Sequence, residues 1–461
     1  MTSQTISPLT RNAPTLLART VGHLRRIWPA GSDNRSSSEL SLSPELEQSD
    51  LEQLIKWMDG CLLHEGDEVT ARNRAVILGR SYLMLNEQGR SRFLLLLAER
   101  YGIDNDHVEQ CFQLWKTAPG QYEQQLREAL DPARMKLLTQ FNGLPEGVKF
   151  LVDMRSELLR LKKSYPQLSA LEADLKRLLI SWFDIGLLQL EEISWQSSAE
   201  LLEKLIAYEA VHEIQSWDDL KNRLDSDRRC FAFFHPNMPN EPLIFVEVAL
   251  VKGLADNVQA LLDETAPLQD IQQADTAIFY SISNAQQGLA GISFGNFLIK
   301  RVVARLQQEH PQLQQFSTLS PMPGFCRWLE QLDTSELSQL PGGKQWLQHK
   351  DTSASDSETQ NPSPESRDSL LSLACHYLSQ VKGRSHFSKD PVAHFHLSNG
   401  AQIAQLNWLA DSSIKGLQQS AGIMVNYLYQ LPDIEARSQN YDQQGKVSLA
   451  QNLKPLLKAH K

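Results

Sequence analysis

The stretch "TAIFYSISNAQQGLAGISFGNFLIKRVV", residues 276–303, runs from an apolar segment through a glycine-rich loop into a second periodic segment. Its first eight residues are rich in aliphatic and aromatic side chains and predict a strand. From Phe294 toward Gln308 apolar side chains recur every fourth residue, which predicts a helix. The loop therefore lies at the N-terminus of a helix, in a domain that contains both strands and helices.

Two interpretations of the glycine loop remain open from spacing alone. Unpaired backbone N–H groups and the positive end of the helix dipole converge there, and glycines at 288, 291 and 295 would let a pyrophosphate approach the main chain. The same glycines fit a turn that lets the helix pack closely on a sheet. The loop is neither a Walker sequence nor a dinucleotide-binding fingerprint. Lys300 and Arg301 are within reach of a phosphate, or else form a solvated basic face.

Strand-like segments surround this unit and predict a mixed α/β domain over residues 191–461. They include "RCFAFFHP" (229–236), "PLIFVEVALV" (242–251) and "AQIAQLNWLA" (401–410). Asn399-Gly400 lies between two runs that read as extended, which predicts a β-hairpin. Residues 350–368 are polar and rich in Ser, and predict a surface insertion.

The part of the chain before residue 191 has a different pattern of apolar residues. Residues 44–190 show helical periodicity with few β-branched runs, for example in "GVKFLVDMRSELLRLKKSY" (147–165), and predict an all-helical domain. The fold class is therefore α+β with two domains. Residues 1–43 are expected to be a disordered tail or a targeting segment, because residues 1–32 contain Ser, Thr and Arg but no acidic residue.

Composition excludes several classes of protein. The formal net charge of −10 argues against a general nucleic-acid binder. No apolar run approaches the roughly 18 residues of a membrane span, so we expect no membrane partner. The five cysteines are scattered and form no Cys-x-x-Cys pair, so neither a disulfide framework nor a zinc site is indicated. We expect an intracellular location, cytoplasmic or alternatively in the mitochondrial matrix.

Three polar residues are candidates for chemistry. Ser320-Pro321 fits the N-cap and first position of a helix, and for Ser320 to act chemically it would need a nearby acid or base. His394 and His396 lie two apart on a predicted strand and would share a face that can hold a metal. There is no third ligand motif, so a single histidine acting as acid or base, or a structural histidine, is the alternative.

Several strings in one order resemble the malonyl-CoA decarboxylase family. They are "FYSISNAQQGLAGISFGNFLIKRVV" (279–303), "LSPMPGF" (319–325), "DPVAHFHLSNG" (390–400) and "GIMVNYLY" (422–429). The likeness begins near "YEAVHEIQSWDDLKNRL" (208–224). The helical domain fits the family arrangement with less specific motifs.

The resemblance implies a GNAT-like, acetyltransferase-type catalytic domain that converts malonyl-CoA to acetyl-CoA and carbon dioxide. It implies Ser320 and His396 as catalytic residues that also contact substrate, with Asn426 and Tyr427 near the pocket. The family pattern has Asn at the position of His394, which weakens a metal pair. The implied CoA-binding loop comprises Ala290, Gly291, Ile292, Ser293, Phe294, Gly295 and Asn296.

The resemblance also implies a homo-oligomer, a tetramer or dimer of dimers, held through the helical domain. No biotin or metal cofactor is expected, because the thioester carbonyl itself delocalises the carbanion that decarboxylation leaves. Two other functions share the same features: a GNAT-type acyl-CoA-dependent acyltransferase, and a non-catalytic scaffold protein that binds malonyl-CoA.

Overall fold

The computed structural model describes residues 40–62, 68–292, 297–353, 364–383 and 385–458. Most of the predicted N-terminal tail, residues 1–39, lies outside this part. The first region is helical, as predicted. Its helices are α1 Gln48–Leu62, α2 Glu68–Met84, α3 Glu87–Arg100, α4 Asn105–Thr117, α5 Pro119–Ala129, α6 Ala133–Gln140, α7 Gly147–Leu161 and α8 Ser169–Trp182.

The second region is mixed α/β, also as predicted, and its first strand spans the expected boundary near residue 190. Its strands are β1 Gln189–Ile193, β2 Arg228–Phe234, β3 Ile244–Val251, β4 Thr276–Asn284, β5 Gln315–Thr318, β6 Gln402–Asn407 and β7 Met424–Leu428. Its helices are α9 Ala199–Tyr208, α10 Trp217–Arg223, α11 Val258–Leu262, α12 Phe297–Glu309, α13 Phe325–Gln331, α14 Thr334–Ser338, α15 Gly343–Ser353, α16 Pro364–Gln380, α17 Pro391–Ser398, α18 Ile414–Ser420 and α19 Ile434–Gln444.

One seven-stranded sheet has the order β1-β2-β3-β4-β5-β7-β6. Neighbouring strands are antiparallel except for β4 and β5, which are parallel and joined through α12. A parallel pair needs such a crossover connection, and a helix is its usual form. This arrangement confirms the predicted mixed α/β domain.

The sheet opens between its two parallel strands. Only Thr276–Phe279 of β4 pairs with β5, although β4 continues to Asn284. The glycine loop follows β4 and Ser320 follows β5, so both extend from the carboxyl ends of neighbouring parallel strands. Open α/β sheets bind ligands in the crevice at such ends, so a ligand site is expected at this edge of the sheet.

The helical region packs directly on the glycine loop. Leu151 and Val152 of α7 belong to the same buried hydrophobic cluster as Leu289 and Ile292 of the loop. A Cβ at Gly288 would come within 1.8 Å of the Val152 carbonyl oxygen, so only glycine allows this approach. The two regions therefore share a core at the loop.

The predicted hairpin at Asn399-Gly400 is wrong, because residues 391–398 form helix α17. Asp390 caps this helix by accepting hydrogen bonds from the N–H groups of Val392 and Ala393, and Pro391 occupies its first turn. Gly400, with φ of +80°, follows the C-cap Asn399. Asn-Gly therefore ends a helix here, a role for which glycine is equally well suited.

The ends of the predicted insertion at 350–368 are helical. Helix α15 extends to Ser353 and helix α16 begins at Pro364, while residues 354–363 lie outside the described part. None of the helices in the described ranges is both long enough and apolar enough to cross a bilayer.

Candidate active site

Ser320 lies in extended backbone two residues after the end of β5, next to β7. Its N–H donates to the Val425 carbonyl (2.9 Å), and its carbonyl accepts from the Val425 N–H (2.8 Å). The predicted N-cap role is wrong, since helix α13 begins only at Phe325 and has Gly324 at its N-cap. Pairing with β7, which sequence spacing does not reveal, holds the serine just beyond the carboxyl end of β5.

His394 and His396 lie on a helix and not on a strand, so the prediction that they share a face is wrong. Residues two apart on an α-helix point in nearly opposite directions. His394 Nδ1 lies 3.1 Å from the Tyr441 hydroxyl, whereas His396 faces Ser320. No group of three or more potential metal ligands occurs within the described ranges.

Ser320 and His396 meet across 76 residues of sequence. The serine Oγ lies 3.1 Å from Nε2 of the histidine. The two residues are only 7% and 2% exposed. The structure thus supplies the partner that Ser320 needs for chemistry, and it comes from helix α17.

The hydrogen bonds around this pair define the tautomer of His396. Ser320 Oγ donates its single proton to Thr318 Oγ1 (2.9 Å), so it accepts from His396 Nε2–H. A neutral imidazole has one N–H, and Nδ1 must therefore accept from the Tyr429 hydroxyl, 2.7 Å away. The result is a continuous series of hydrogen bonds in which Tyr429 donates to His396, His396 to Ser320 and Ser320 to Thr318.

Burial keeps the histidine neutral. It lowers the pKa of His396 to about 3, because removal from water disfavours the charged imidazolium. Burial also raises the pKa of Tyr429, which keeps the phenol protonated and able to donate. At neutral pH these residues therefore form an uncharged network of hydrogen-bond donors and acceptors.

Asn426 and Tyr427 point to opposite faces of β7, as neighbours on a strand do. The Tyr427 ring stacks on His396, with centroids 4.5 Å apart and an interplanar angle of 24°. Its hydroxyl has no hydrogen-bond partner among the described residues. Asn426 donates to the carbonyls of Thr318 (2.8 Å) and Ala255 (3.0 Å), and so holds β7 to its neighbours.

Sequence reasoning missed Thr318 and Tyr429. Both lie two residues from a candidate in extended chain at the end of a strand, Thr318 before Ser320 and Tyr429 after Tyr427. Alternation along a strand puts such residues on one face. That signal is present in the sequence once the strands are recognised.

The described part of the predicted CoA loop comprises Ala290, Gly291 and Ile292. Arg155 of α7 is buried and donates to the carbonyls of Gly288 (2.5 Å) and Ala290 (2.8 Å). These carbonyls therefore face the helical region. Of the other predicted loop residues, Ser293, Phe294, Gly295 and Asn296 lie outside the described part.

Two family models match the chain. The malonyl-CoA decarboxylase N-terminal domain matches residues 101–183, and the malonyl-CoA decarboxylase C-terminal domain matches residues 186–461. The mitochondrial malonyl-CoA decarboxylase of Anser anser anser is 37% identical over 458 residues, covering 91% of this chain and 90% of its own. That of Mus musculus is 37% identical over 387 residues, covering 76% and 78%.

Crystal structures agree with the sequence matches. Malonyl-CoA decarboxylase from Rhodopseudomonas palustris has a TM-score of 0.81 and 39% identity, covering 88% of this chain and 99% of that chain. The enzyme from Cupriavidus metallidurans has a TM-score of 0.73 and 40% identity, covering 89% and 100%.

Proposed function

The chain belongs to the malonyl-CoA decarboxylase family, carboxy-lyases that convert malonyl-CoA to acetyl-CoA, and we propose that Ser320 and His396 carry the reaction here. One observation supports this assignment above others: the 3.1 Å contact between Ser320 Oγ and His396 Nε2. The pair is buried, and Ser320 follows the carboxyl end of β5, the edge at which open α/β sheets bind ligands.

The reaction imposes two tasks on the site. Cleavage of the bond between the α-carbon and the carboxylate releases carbon dioxide and leaves its electron pair on the thioester as an enolate. The enolate oxygen must be stabilised by hydrogen-bond donors, and the α-carbon must then receive a proton. A buried, water-poor site strengthens such donors.

We assign the first task to Ser320 and the second to His396. When substrate binds, the serine hydroxyl gives up its hydrogen bond to Thr318 and donates instead to the departing carboxylate or to the enolate oxygen. The malonyl carboxylate is an anion, and a nearby anion favours the imidazolium form of a histidine. Substrate therefore raises the low pKa of His396 and lets it gain the proton that it transfers to carbon. The Tyr429 hydroxyl holds the ring in position for that transfer.

The CoA part of the substrate is assigned to the loop Ala290–Asn296. Its described residues follow β4 at the carboxyl edge of the sheet, and Arg155 fixes two carbonyls of this segment on the side of the helical region. Helix α12 follows the loop, and a helix N-terminus favours phosphate. We also propose that neither biotin nor a metal is needed, since the thioester carbonyl stabilises the carbanion.

A turnover assay tests the function directly. Purified protein is incubated with malonyl-CoA, a chelator and no acyl acceptor, and acetyl-CoA and carbon dioxide are quantified. We expect both in equal amounts, and large losses of kcat in Ser320→Ala and His396→Asn. Product only on addition of an amine would indicate an acyltransferase, and binding without turnover would indicate a scaffold. Loss of turnover with the chelator would contradict the metal-free proposal.

We further propose a homo-oligomer, a tetramer or dimer of dimers, held through the helical region. Helices α4 and α5 pack mainly on each other. Phe112, stacked on Trp115, is 38% exposed, and Leu130 just after α5 is 48% exposed. Large apolar residues left exposed on a helical hairpin fit burial against a second copy.

Light scattering coupled to size exclusion tests this assembly. Phe112→Asp should reduce the molar mass toward that of the monomer, because a charge cannot be buried unpaired in an apolar contact. Leu268→Asp changes a 56% exposed leucine outside the helical region and should leave the mass unchanged. Equal masses for wild type and Phe112→Asp would contradict an interface at this hairpin.

For the compartment, we propose the cytoplasm, with the mitochondrial matrix as the alternative. The composition of residues 1–32 fits a disordered tail as well as a transit peptide. The relatives from Mus musculus and Anser anser anser are named mitochondrial, which supports the alternative. Fusing residues 1–43 to a fluorescent protein in a eukaryotic cell decides between them, since import requires a targeting signal.

A further inference from the structure

A lysine from the helical region lies against the glycine loop. Lys176 of α8 places its Nζ 3.4 Å from the position that a Cβ would take at Gly291, and its Cε 4.0 Å from it. Gly291 has φ of +70°, a conformation in which side chains are rarely found. Because Gly291 has no side chain, the lysine ammonium group lies directly beside the main chain of the loop.

Lys176 makes no ion pair within the described ranges, although carboxylates lie close to it in sequence. Glu172, one turn earlier on α8, pairs with Arg155 at 2.8 Å and with Lys162 at 3.0 Å. Asp174 pairs with Arg134 at 2.7 Å. The neighbouring carboxylates are thus engaged with other cations.

The other basic groups around the loop also have partners. Arg155 is held by Glu172 and by the loop carbonyls. Arg301 donates to the Leu188 carbonyl at 2.6 Å and lies over the Phe233 ring. Lys300 lies 3.9 Å from Glu435. Among the described residues beside the loop, Lys176 is the basic group for which neither a hydrogen-bond partner nor an ion-pair partner is present.

We propose that Lys176 binds the pyrophosphate of CoA, so that the helical region supplies part of the substrate site. This inference rests on the proposed function, in which the loop holds CoA. On a protein of net charge −10, a polyanionic ligand needs a local cation. A lysine ammonium on a flexible stem is a suitable point charge for phosphate oxygens.

Calorimetric titration with CoA tests the assignment on the full chain. Lys176→Met keeps the length of the side chain and removes the charge, and we expect its Kd for CoA to rise about tenfold, the effect of one charge-assisted hydrogen bond. Lys163→Met removes an exposed lysine in the turn after α7 and serves as the control, with Kd unchanged. Lys176→Arg should restore part of the affinity.

Two truncated ligands locate the contact. With malonyl-pantetheine, which lacks the pyrophosphate, kcat/KM should be equal for wild type and Lys176→Met, while with malonyl-CoA the variant shows a higher KM at unchanged kcat. Dephospho-CoA, which lacks only the 3′-phosphate, should show the same tenfold difference in Kd.

Three results would overturn the proposal: an unchanged Kd for CoA in Lys176→Met, an equal loss with malonyl-pantetheine, or a difference that disappears with dephospho-CoA. The last would place the lysine on the 3′-phosphate. If wild type binds CoA through Lys176 but forms no acetyl-CoA, the proposed reaction fails and the binding assignment stands.

Discussion

The hydroxyl of Tyr429 lies 2.7 Å from Nδ1 of His396, on the side of the ring away from Ser320. The tyrosine, which follows the end of β7, therefore sets the orientation of a histidine that helix α17 supplies. Because the phenol can donate and Nδ1 accepts, the N–H of the neutral ring is directed at the serine. The geometry of the pair therefore depends on a third residue, which makes its side-chain hydrogen bond to the histidine and not to the serine.

Tyr429→Phe is expected to lower kcat about tenfold or more, the effect of one lost hydrogen bond to a buried group, with little change in KM. Without the hydroxyl, His396 can adopt the tautomer with its proton on Nδ1 and lose the donor that faces Ser320. Steady-state kinetics with malonyl-CoA measures both constants.

Tyr427→Phe is the matched comparison for that variant. It keeps the ring that stacks on His396 and removes a hydroxyl that has no partner among the described residues. We expect kcat nearer to wild type than in Tyr429→Phe. If the two variants lose activity equally, the positioning role of Tyr429 is wrong.

The low pKa of His396 predicts a dependence of stability on pH. Burial lowers this pKa to about 3, against about 6.5 in the unfolded chain. Between these values the unfolded chain binds a proton that the folded protein does not. The contribution of His396 to the free energy of unfolding is therefore complete above pH about 6.5 and is lost as pH falls through about 3.

Urea unfolding at a series of pH values measures that contribution. His396→Gln cannot titrate, so its free energy of unfolding should fall less steeply than that of wild type as pH is lowered below about 6.5. Parallel curves for the two proteins would show that the histidine is not held neutral by burial.

Gly288→Ala is expected to destabilise the protein by about 1–3 kcal/mol and to weaken CoA binding. The added Cβ would lie 1.8 Å from the Val152 carbonyl oxygen, so α7 and the loop must separate. Gly120→Ala in α5, where a Cβ meets no atom within 4 Å, is the control and should not destabilise. Thermal melting and calorimetry with CoA compare the two, and equal melting temperatures would refute close packing at Gly288.

Arg155→Met is expected to cost about 3 kcal/mol, because it leaves buried carbonyls and part of the Glu172 carboxylate without a donor. Arg127→Met removes an exposed ion pair with Glu123 and should cost less than about 0.5 kcal/mol. Urea unfolding measures both changes. A cost for Arg155→Met as small as that of the control would show that the buried arginine does not hold the two regions together.

Local sequence patterns predicted much of this architecture. The apolar run from residue 276 predicted strand β4, and the helical periodicity beyond the glycine loop predicted helix α12. Period-two and period-3.6 patterns depend on neighbours in the chain, and the sequence contains those neighbours. The catalytic assignment to Ser320 and His396 came from resemblance in several ordered strings and not from periodicity.

Local patterns failed where a distant strand or a capping residue decided the conformation. Ser320-Pro321 looked like a helix start, but pairing with Val425 of β7 keeps Ser320 extended. Residues 391–398 looked extended, but the cap at Asp390 and the stop at Gly400 make them a helix. The first contact spans more than a hundred residues, whereas the second signal was present locally as Asp-Pro and Asn-Gly.

The sequence by itself determined the two regions, the strand, loop and helix around the glycines, and the family to which the chain belongs. Only the tertiary structure decided which groups meet: Ser320 with His396, His396 with Tyr429, and Arg155 and Lys176 with the loop. The physical reason is that propensity and periodicity act over one or two turns of chain, while a site is assembled by packing between elements far apart in sequence. The helical region thus helps to form the site, since its Arg155 and its Lys176 both lie against the loop assigned to CoA.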